Sequence, residues 1–337
     1  MPFDYFDHRI LTGVINKRPP KYSLITDLFF KPRPPQPTDK LELHIKSRGR
    51  NLLPFVREEE PGKVIKSGSA EVVIVKAPRI RVKTPYQAVE VLKNPAGYNP
   101  YEIAADPVER AIVEDLDYLR EDVDLTIEWM AAQIATKGAF TVSDKIEGKL
   151  KPIYTVDNRM PASHKLTLDA EKKWSADGSK IMELVEEWST MIQDECGSAP
   201  SELVLGKNVW GHFFRHADVK TYLDNRRIEM GGLQPKVCKM FKGVWNGLNV
   251  WVYTGNVTGY GGKTEYLLDP DSILLGARDT ESVIEYGLPL DRKCKGATSF
   301  FAKTYDEEDP SATWLLVESR PMPWAKRPGA FLCAKVL

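Results

Sequence analysis

The chain has 337 residues, more than one small core accommodates, and its 47 Lys/Arg residues balance its 47 Asp/Glu residues. A formal net charge of zero argues against a dedicated nucleic-acid-binding protein and removes the long-range self-repulsion that would oppose self-association. The cysteines, Cys196, Cys238, Cys294 and Cys333, are too scattered for a CxxC metal or redox pair. Acidic residues near the N-terminus and the lack of a membrane-length apolar run predict a soluble protein of the cytosol.

The first 50 residues are predicted to form an arm, with ten Lys/Arg and five Asp/Glu residues. Prolines at 19–20 and in the run 31–37 exclude helix and central strand at those positions. The apolar cluster 24–30 between them has little local core, so it is expected to dock on the main body or on a neighbouring subunit. The excess positive charge indicates a solvated arm or, alternatively, one that faces a polyanion or an acidic partner.

A long two-stranded excursion is predicted next. Alternation of apolar and polar residues predicts strands at 40–46, 71–76 and 79–83, the last with three cations on one face. The polar segment 58–63 between them is interpreted as a charged tip. Because an isolated hairpin is only marginally stable, this one is expected to lie on another surface.

The most distinct element is a helix predicted over 106–137. Asp106 is the expected N-cap, Pro107 occupies the first helical position, and Gly138 supplies the stop. At about 1.5 Å per residue the helix would be on the order of 48 Å long. One face is apolar throughout: Ile112, Leu116, Leu119, Val123, Ile127, Met130 and Ile134. The opposite face is acidic and is expected to be solvated: Glu114, Asp117, Glu121, Asp124 and Glu128.

The second half of the chain alternates helices with short strands. Strands are expected between 138 and 155, an amphipathic helix over 179–195 ended by Gly197, and a third helix over about 208–223. Further strands are predicted at 203–205, 249–253, 264–268, 272–275, 313–317 and 331–334.

Two motifs suggest ligand chemistry, but the residues around them favour structural interpretations. The segment 257–264 ends in Gly-Lys-Thr like a phosphate-binding loop, yet it starts with Val257 and has strand-like flanks, which predicts a hairpin turn. His212 and His216 would share a helix face, as zinc ligands do, but Phe213 stands where a metalloprotease needs glutamate. They are interpreted as surface or packing histidines.

The carboxylates give no coherent catalytic set. Asp122 and Asp124 lie on the predicted helix, and Asp269 and Asp271 flank a proline in a predicted turn, positions at which carboxylates are usually solvated. The sequence has no Gly-x-Ser-x-Gly elbow and no Cys/His pair. We therefore expect no catalytic residues, no cofactor and no metal site.

The order of these elements resembles the lambda-type major capsid proteins of tailed bacteriophages, the major capsid protein E family. The resemblance extends over nearly the whole chain and depends on combined order, spacing and length rather than on one motif. It is carried by the segments 24–30, 223–227, 248–255 and 267–276 and by Asp106-Pro107.

This resemblance implies an α+β fold of the Hong Kong 97 type. Residues 1–50 would be the N-terminal arm, 51–95 the extended loop, 96–178 a peripheral domain with the spine helix 106–137, 179–300 the axial domain, and 301–337 strands returning to the peripheral domain. Such a protein would not be an enzyme. It would assemble into pentamers and hexamers of an icosahedral head that encloses double-stranded DNA, within the cytoplasm of a bacterial host, and would end in the virion.

The resemblance also implies partners and contact residues. The partners would be other copies of the chain, a separate scaffolding protein, a portal, a decoration protein, and packaged DNA bound without sequence specificity, with no membrane. Lys63 and Lys66 lie near the loop tip, but no matching asparagine or glutamate indicates a covalent crosslink. The expected intersubunit contacts are Leu28, Phe29, Phe30, Glu58, Glu59, Lys63, Lys66, Arg79, Arg81 and Lys83.

Removal of residues 1–38 is expected to abolish shells while leaving the body folded. Two alternatives stay open. One is an encapsulin-like compartment with an enzyme cargo, which copurified cargo would reveal. The other is a metal- or nucleotide-dependent enzyme that uses His212 and His216 or the turn at 262–264, which metal and nucleotide-binding assays would test.

Overall fold

The computed structural model describes residues 7–19, 23–47, 69–87, 107–146, 149–176, 178–223, 240–259, 262, 264–308 and 312–337. Their helices, α1 to α6, are His8–Lys17, Leu24–Phe29, Pro107–Lys137, Ile181–Cys196, Val209–Arg215 and Ala217–Leu223. The first nine strands, β1 to β9, are Lys31–Pro32, Lys40–Ser47, Ser69–Lys76, Ile80–Gln87, Ala139–Ile146, Lys149–Asp157, Lys165–Thr167, Glu202–Gly206 and Phe241–Trp245. The others, β10 to β18, are Leu248–Tyr253, Asn256–Thr258, Thr264–Tyr266, Ser272–Gly276, Val283–Tyr286, Phe300–Glu307, Ala312–Ser319, Pro321–Trp324 and Phe331–Lys335. Short 3-10 turns lie at Ala162–His164 and Pro328–Ala330.

A six-stranded mixed sheet organises one half of the molecule, in the order β7-β18-β13-β8-β10-β9. The pairs β7–β18 and β8–β10 are parallel, and the other pairs are antiparallel. Every residue of β8 and β13 is buried, as their continuous apolar composition requires at the centre of a covered sheet. An aromatic cluster packs beside this sheet and includes Trp174, Trp188, Phe213 and Trp245.

Helix α3 confirms the predicted long helix and its apolar face. Its 31 residues give a length of about 46 Å. The seven apolar positions predicted to face the core are buried, except that Leu119 is only partly so. Gly138 follows the helix with a φ of +70°, and a Cβ there would clash with the Met160 side chain, so only glycine fits.

Helices α1 and α3 pack against a second sheet of order β15-β16-β4. Strand β4 pairs along its full length with β16, from Ile80 opposite Ser319 to Gln87 opposite Ala312. The segment 79–83 was predicted to continue the charged hairpin, but it belongs to this sheet instead. A third small sheet, β1-β14-β17, joins the arm to the C-terminal region.

The extended hairpin consists of β2 and β3, paired from Lys40 opposite Lys76 to Ser47 opposite Ser69. Residues 40–47, assigned to the arm from the sequence, therefore pair within the hairpin. Strands β5 and β6 form another hairpin, as predicted for the region after Gly138.

The helix predicted over 208–223 is divided into α5 and α6. His216 separates them in an extended conformation, with φ −63° and ψ 137°. Its backbone N–H still bonds to the carbonyls of His212 and Phe213, which satisfies the end of α5. The amphipathic helix predicted over 179–195 is confirmed as α4, which ends at Gly197 in the left-handed conformation with a φ of 78°.

Candidate assembly surfaces

The β2–β3 hairpin has one buried face and one exposed face, and the exposed face carries two apolar side chains. Leu41 and Leu43 are buried against the body, with at most 2% of their surface exposed. On the other face Val72 and Ile74 are 49% and 64% exposed, although both are β-branched apolar residues that favour a covered strand. Two neighbouring apolar side chains held in solvent on a projecting hairpin indicate a surface that another molecule covers.

Polar contacts hold the base of the hairpin on the rest of the chain. The Tyr154 hydroxyl donates to the Lys76 carbonyl across 2.9 Å. Lys46 pairs with Glu281 at 2.5 Å, and this hydrogen bond lowers the pKa of Glu281. Both charges are exposed, so the pair orients the hairpin more than it stabilises the fold.

A cavity of about 310 Å³ lies where the hairpin meets β14 and β17. Charges of both signs line it, and they pair with each other: Arg33 lies 3.5 Å from Glu285, which also accepts from Gln36 at 3.1 Å. The lining residues are Arg33, Gln36, Thr38, Lys40, Glu42, Leu43, His44, Val283, Glu285, Trp324 and Lys326.

Glu318, fully buried on β16, holds the cations of the 79–83 segment on the β15-β16-β4 sheet. Arg79 donates from Nε and Nη2 to the two carboxylate oxygens at 2.9 Å each. Arg81 approaches the same carboxylate at 3.2 Å, and the Leu290 N–H donates to it at 2.9 Å. A bidentate, buried pair of this kind fixes the direction of both side chains.

Asp291 is a second anion beneath these cations. Burial alone would raise its pKa, but hydrogen bonds from Lys303 Nζ at 2.5 Å and from the Lys293 N–H at 3.0 Å lower it overall. Lys83, on the same face, lies with Nζ 4.0 Å from the centre of the Trp314 ring. The predicted contacts Arg79, Arg81 and Lys83 thus have partners within their own chain while remaining exposed to solvent.

Glu128 of α3 joins three parts of the chain that are distant in sequence. Its carboxylate is fully buried and accepts from the backbone N–H groups of Ile25 at 2.7 Å and Thr26 at 2.9 Å. These are first-turn N–H groups of α2, so Glu128 serves as the cap that this helix lacks locally. The Thr26 hydroxyl also donates to Glu128, as does Tyr253 of β10 at 2.9 Å.

The prediction of a solvated acidic face on α3 is wrong for two of its members. Glu128 is fully buried, and burial raises its pKa even though the four donors lower it in part. Asp124 is also buried and accepts from Arg120 at 2.8 Å. The sequence did offer a sign of this burial. The small residues Ala131 and Ala132 indicate close packing around the whole second half of the helix, which includes the acidic positions there.

The apolar cluster of the arm docks on its own chain. Leu28, Phe29 and Phe30 are 2–4% exposed, and Phe331 contacts the rings of Phe29 and Phe30 at centroid distances of 5.1 and 6.0 Å. These three side chains therefore pack in the chain's own core, which corrects their assignment as intersubunit contacts. The same burial extends to Leu11 of α1, so removal of residues 1–38 would take away core side chains and not only an arm.

Four predicted contact residues belong to the hairpin tip and lie outside the described residues: Glu58, Glu59, Lys63 and Lys66. They stay predictions.

The two histidines do not form a metal site. The helix is interrupted at His216, so the two histidines do not share one helix face. His216 Nε2 lies 3.0 Å from the Ser179 hydroxyl, and its Nδ1 accepts from the Asp218 N–H at 3.3 Å. His216 is therefore a packing histidine that connects α5, α6 and the start of α4. Across the described parts of the chain, we find no group of three or more His, Cys, Asp or Glu residues arranged to hold a metal ion.

The strands on either side of the Gly-Lys-Thr segment, β11 and β12, pair antiparallel, as expected for a hairpin. Strand β12 begins at Thr264, where a phosphate-binding loop would open into a helix N-terminus. Asp269 and Asp271 lie in a turn, where the Asp271 N–H bonds to the Asp269 carboxylate at 3.0 Å. No helix within the described ranges combines the length and apolarity needed to cross a membrane.

Known proteins resemble the chain over its whole length. The model of the family described as phage major capsid protein E matches residues 7–336. A prophage capsid protein from Escherichia coli CFT073 has 18% identity and a TM-score of 0.70, with 100% of both chains covered. A phage-related protein from Bordetella bronchiseptica RB50 has 13% identity and a TM-score of 0.55 over 97% of this chain and 96% of that one. The mature capsid protein of bacteriophage PhiM1 has 10% identity and a TM-score of 0.51, with 95% of this chain and 88% of that one covered. None of the curated proteins matches the chain significantly.

Proposed function

The chain belongs to the phage major capsid protein E family and has the Hong Kong 97-like fold of phage capsid proteins, and from this we propose that it forms the pentamers and hexamers of an icosahedral head around double-stranded DNA. It is a capsid protein of a tailed phage, as the resemblance implied. The boundaries expected for the arm, loop, peripheral and axial domains are part of the proposal.

One observation supports self-assembly above the others. The β2–β3 hairpin holds Val72 and Ile74 in solvent while its opposite face is anchored on the body. Covering these side chains would remove apolar surface from water at a gain of about 25 cal/mol per Å². Repetition of such a contact around a ring of subunits gives the large buried area of an obligate assembly.

The proposed role is structural, without catalysis. Three carboxylates with buried side chains, Glu128, Glu318 and Asp291, each have donors that hold them in place. None of these arrangements leaves an activated nucleophile or base facing a substrate cavity.

The proposed partners are a separate scaffolding protein, a portal, a decoration protein and the packaged genome. Assembly would take place in the cytoplasm of the bacterial host, and the product would be the virion capsid. DNA would be contacted without sequence specificity, in line with the zero net charge of the chain.

Negative-stain electron microscopy of the purified protein, alone and with the scaffolding protein encoded beside it, tests the proposal. We expect closed shells of uniform diameter in at least one of the two samples, with scaffold alone as the control. Only monomers or small oligomers in both samples, at every concentration tested, would contradict it. Shells that copurify with an enzyme and exclude genomic DNA would instead support the encapsulin-like alternative.

A further inference from the structure

A strongly basic surface covers one end of the β15-β16-β4 sheet. Five exposed cations form it, and we call this set the basic face: Arg79, Arg81, Arg292, Lys293 and Lys295. Lys83 lies over the Trp314 ring, nearer the other end of the sheet, and is not part of this set. Two contacts bring the segments 79–81 and 292–295 together, because Arg79 Nη2 donates to the Leu290 carbonyl at 3.3 Å and Arg81 lies 3.5 Å from Asp291. The anions beneath the face, Glu318 and Asp291, are both almost fully covered, so the charge presented to solvent is positive.

The opposite end of the same sheet is acidic. Asp306, Glu307 and Glu308, which we call the acidic turn, are exposed where β15 ends. Asp306 accepts from the Thr313 hydroxyl at 2.7 Å and Glu307 from the Trp314 indole N–H at 2.6 Å. These bonds orient the carboxylates, which stay exposed to solvent.

The two patches are too far apart to neutralise each other within one chain. Arg81 on β4 pairs with Glu318 on β16, which in turn pairs with Phe301 on β15. Glu307 lies six residues beyond Phe301 along β15. At about 3.3 Å per residue the separation is roughly 20 Å, more than twice the Debye length of about 8 Å at physiological salt. Each patch is therefore available to a complementary surface on another molecule.

Another copy of the chain fits the basic face better than a nucleic acid does. The chain as a whole is neutral, with 47 charges of each sign, so copies can compensate one another without an external polyanion. A sheet that is basic at one end and acidic at the other is complementary to a second sheet of the same kind.

We propose that the acidic turn of one subunit docks on the basic face of a neighbouring subunit in the shell. The proposal rests on the assembly function proposed above and names a contact through which assembly occurs. It also gives Arg79 and Arg81 a role outside their own chain.

A charge-exchange experiment tests the contact. One variant reverses the basic face (Lys293→Glu with Lys295→Glu), a second reverses the acidic turn (Glu307→Lys with Glu308→Lys), and a third carries both changes. We expect each reversal alone to raise the protein concentration needed for shell formation about tenfold, because like charges then face each other. The combined variant should return to within about threefold of the unmodified protein. Thermal unfolding of all three confirms that the subunits stay folded.

Each result has a definite meaning. Failure of the unmodified protein to form shells would refute the proposed function and this contact with it. If the unmodified protein assembles, equal assembly of the basic-face variant overturns the contact alone, and so does a combined variant no better than the single reversals. A basic-face variant that forms normal shells containing less DNA would assign the surface to nucleic acid and likewise overturn it.

Discussion

The Tyr253 hydroxyl donates to the Glu128 carboxylate across 2.9 Å, which joins strand β10 of the six-stranded sheet to the C-terminal half of helix α3. The same carboxylate caps α2 of the arm through Ile25 and Thr26. The arm, the long helix and the larger sheet therefore share one buried anion, so a change at any of the three reaches the others through Glu128.

Tyr253→Phe should lower the free energy of unfolding by about 1.5–3 kcal/mol, the usual contribution of a hydrogen bond to a charged acceptor. The ring stays in place, so packing is retained. Urea unfolding of purified subunits measures the change. Tyr118→Phe, at a side chain that is largely exposed on α3, is the matched control and should change stability by less than about 0.5 kcal/mol. Equal effects of the two substitutions would contradict the role given to the Tyr253 hydroxyl.

Glu128→Gln should destabilise the subunit at neutral pH by about 2–4 kcal/mol, because an amide nitrogen would face the N–H and hydroxyl donors of Thr26. Protection of the Ile25 and Thr26 amides in hydrogen exchange should fall with it. Glu114→Gln, on the exposed side of the same helix, is the control and should leave both quantities unchanged. Retained protection at Thr26 in Glu128→Gln would show that the cap is dispensable.

The contribution of Glu128 to the free energy of unfolding should depend on pH in a definite direction. Burial raises the pKa of Glu128 above its ordinary value of 4.5, so the folded chain binds the proton more tightly than the unfolded chain does. The resulting stability is fully present below pH 4.5 and is lost as the pH rises through the folded-state pKa. The stability deficit of Glu128→Gln relative to the unmodified protein should therefore grow as the pH is lowered from 7 towards 5. A deficit that shrinks over this range would contradict the raised pKa.

Ile74→Glu should impair assembly without unfolding the subunit. Ile74 is exposed, so its loss should change the free energy of unfolding by less than about 0.5 kcal/mol. If a neighbour covers it, a charge there should raise the concentration needed for shells about tenfold or more. Light scattering during assembly measures this, with Ile74→Val as the control that keeps the surface apolar. Normal assembly of Ile74→Glu would exclude this face as a contact.

Gly138→Ala should cost about 2 kcal/mol or more, because the residue has a φ of +70° and an added Cβ would clash with Met160. Gly13→Ala is the contrasting control. Gly13 lies within α1 with open space around it, so alanine there should stabilise the subunit by about 0.5–1 kcal/mol. Thermal unfolding of both variants should show opposite shifts, and a destabilised Gly13→Ala would contradict the helical geometry of α1.

Local patterns predicted the elements whose causes are local. The apolar spacing from Ile112 to Ile134 and the stop at Gly138 were sufficient for α3, and alternation was sufficient for β2 and β3. The partner of β4 was not predictable in this way, because β16 lies more than 200 residues further along the chain. The break at His216 was also missed, since helical spacing continues on both sides of it.

The residues of the candidate surfaces also separate into those that local sequence patterns predict and those that depend on distant parts of the chain. The exposed cations Arg79, Arg81 and Lys83 follow from strand alternation, whereas Glu128 looks like any acidic residue on a helix surface until α2 and β10 pack around it. The arm cluster was predicted to be apolar and docked, but sequence left open which molecule it docks on. Phe331, at the other end of the chain, provides that surface.

The position of β18 also affects the timing of synthesis. Phe331–Lys335 lies between β7 and β13, in the interior of the six-stranded sheet and not at its edge. The ribosome must therefore release these residues before the sheet can close, so the six-stranded sheet is completed only after translation has passed residue 335. Chains interrupted earlier keep two open strand edges and cannot supply a finished subunit to a growing shell, which makes the order of translation a safeguard against faulty particles.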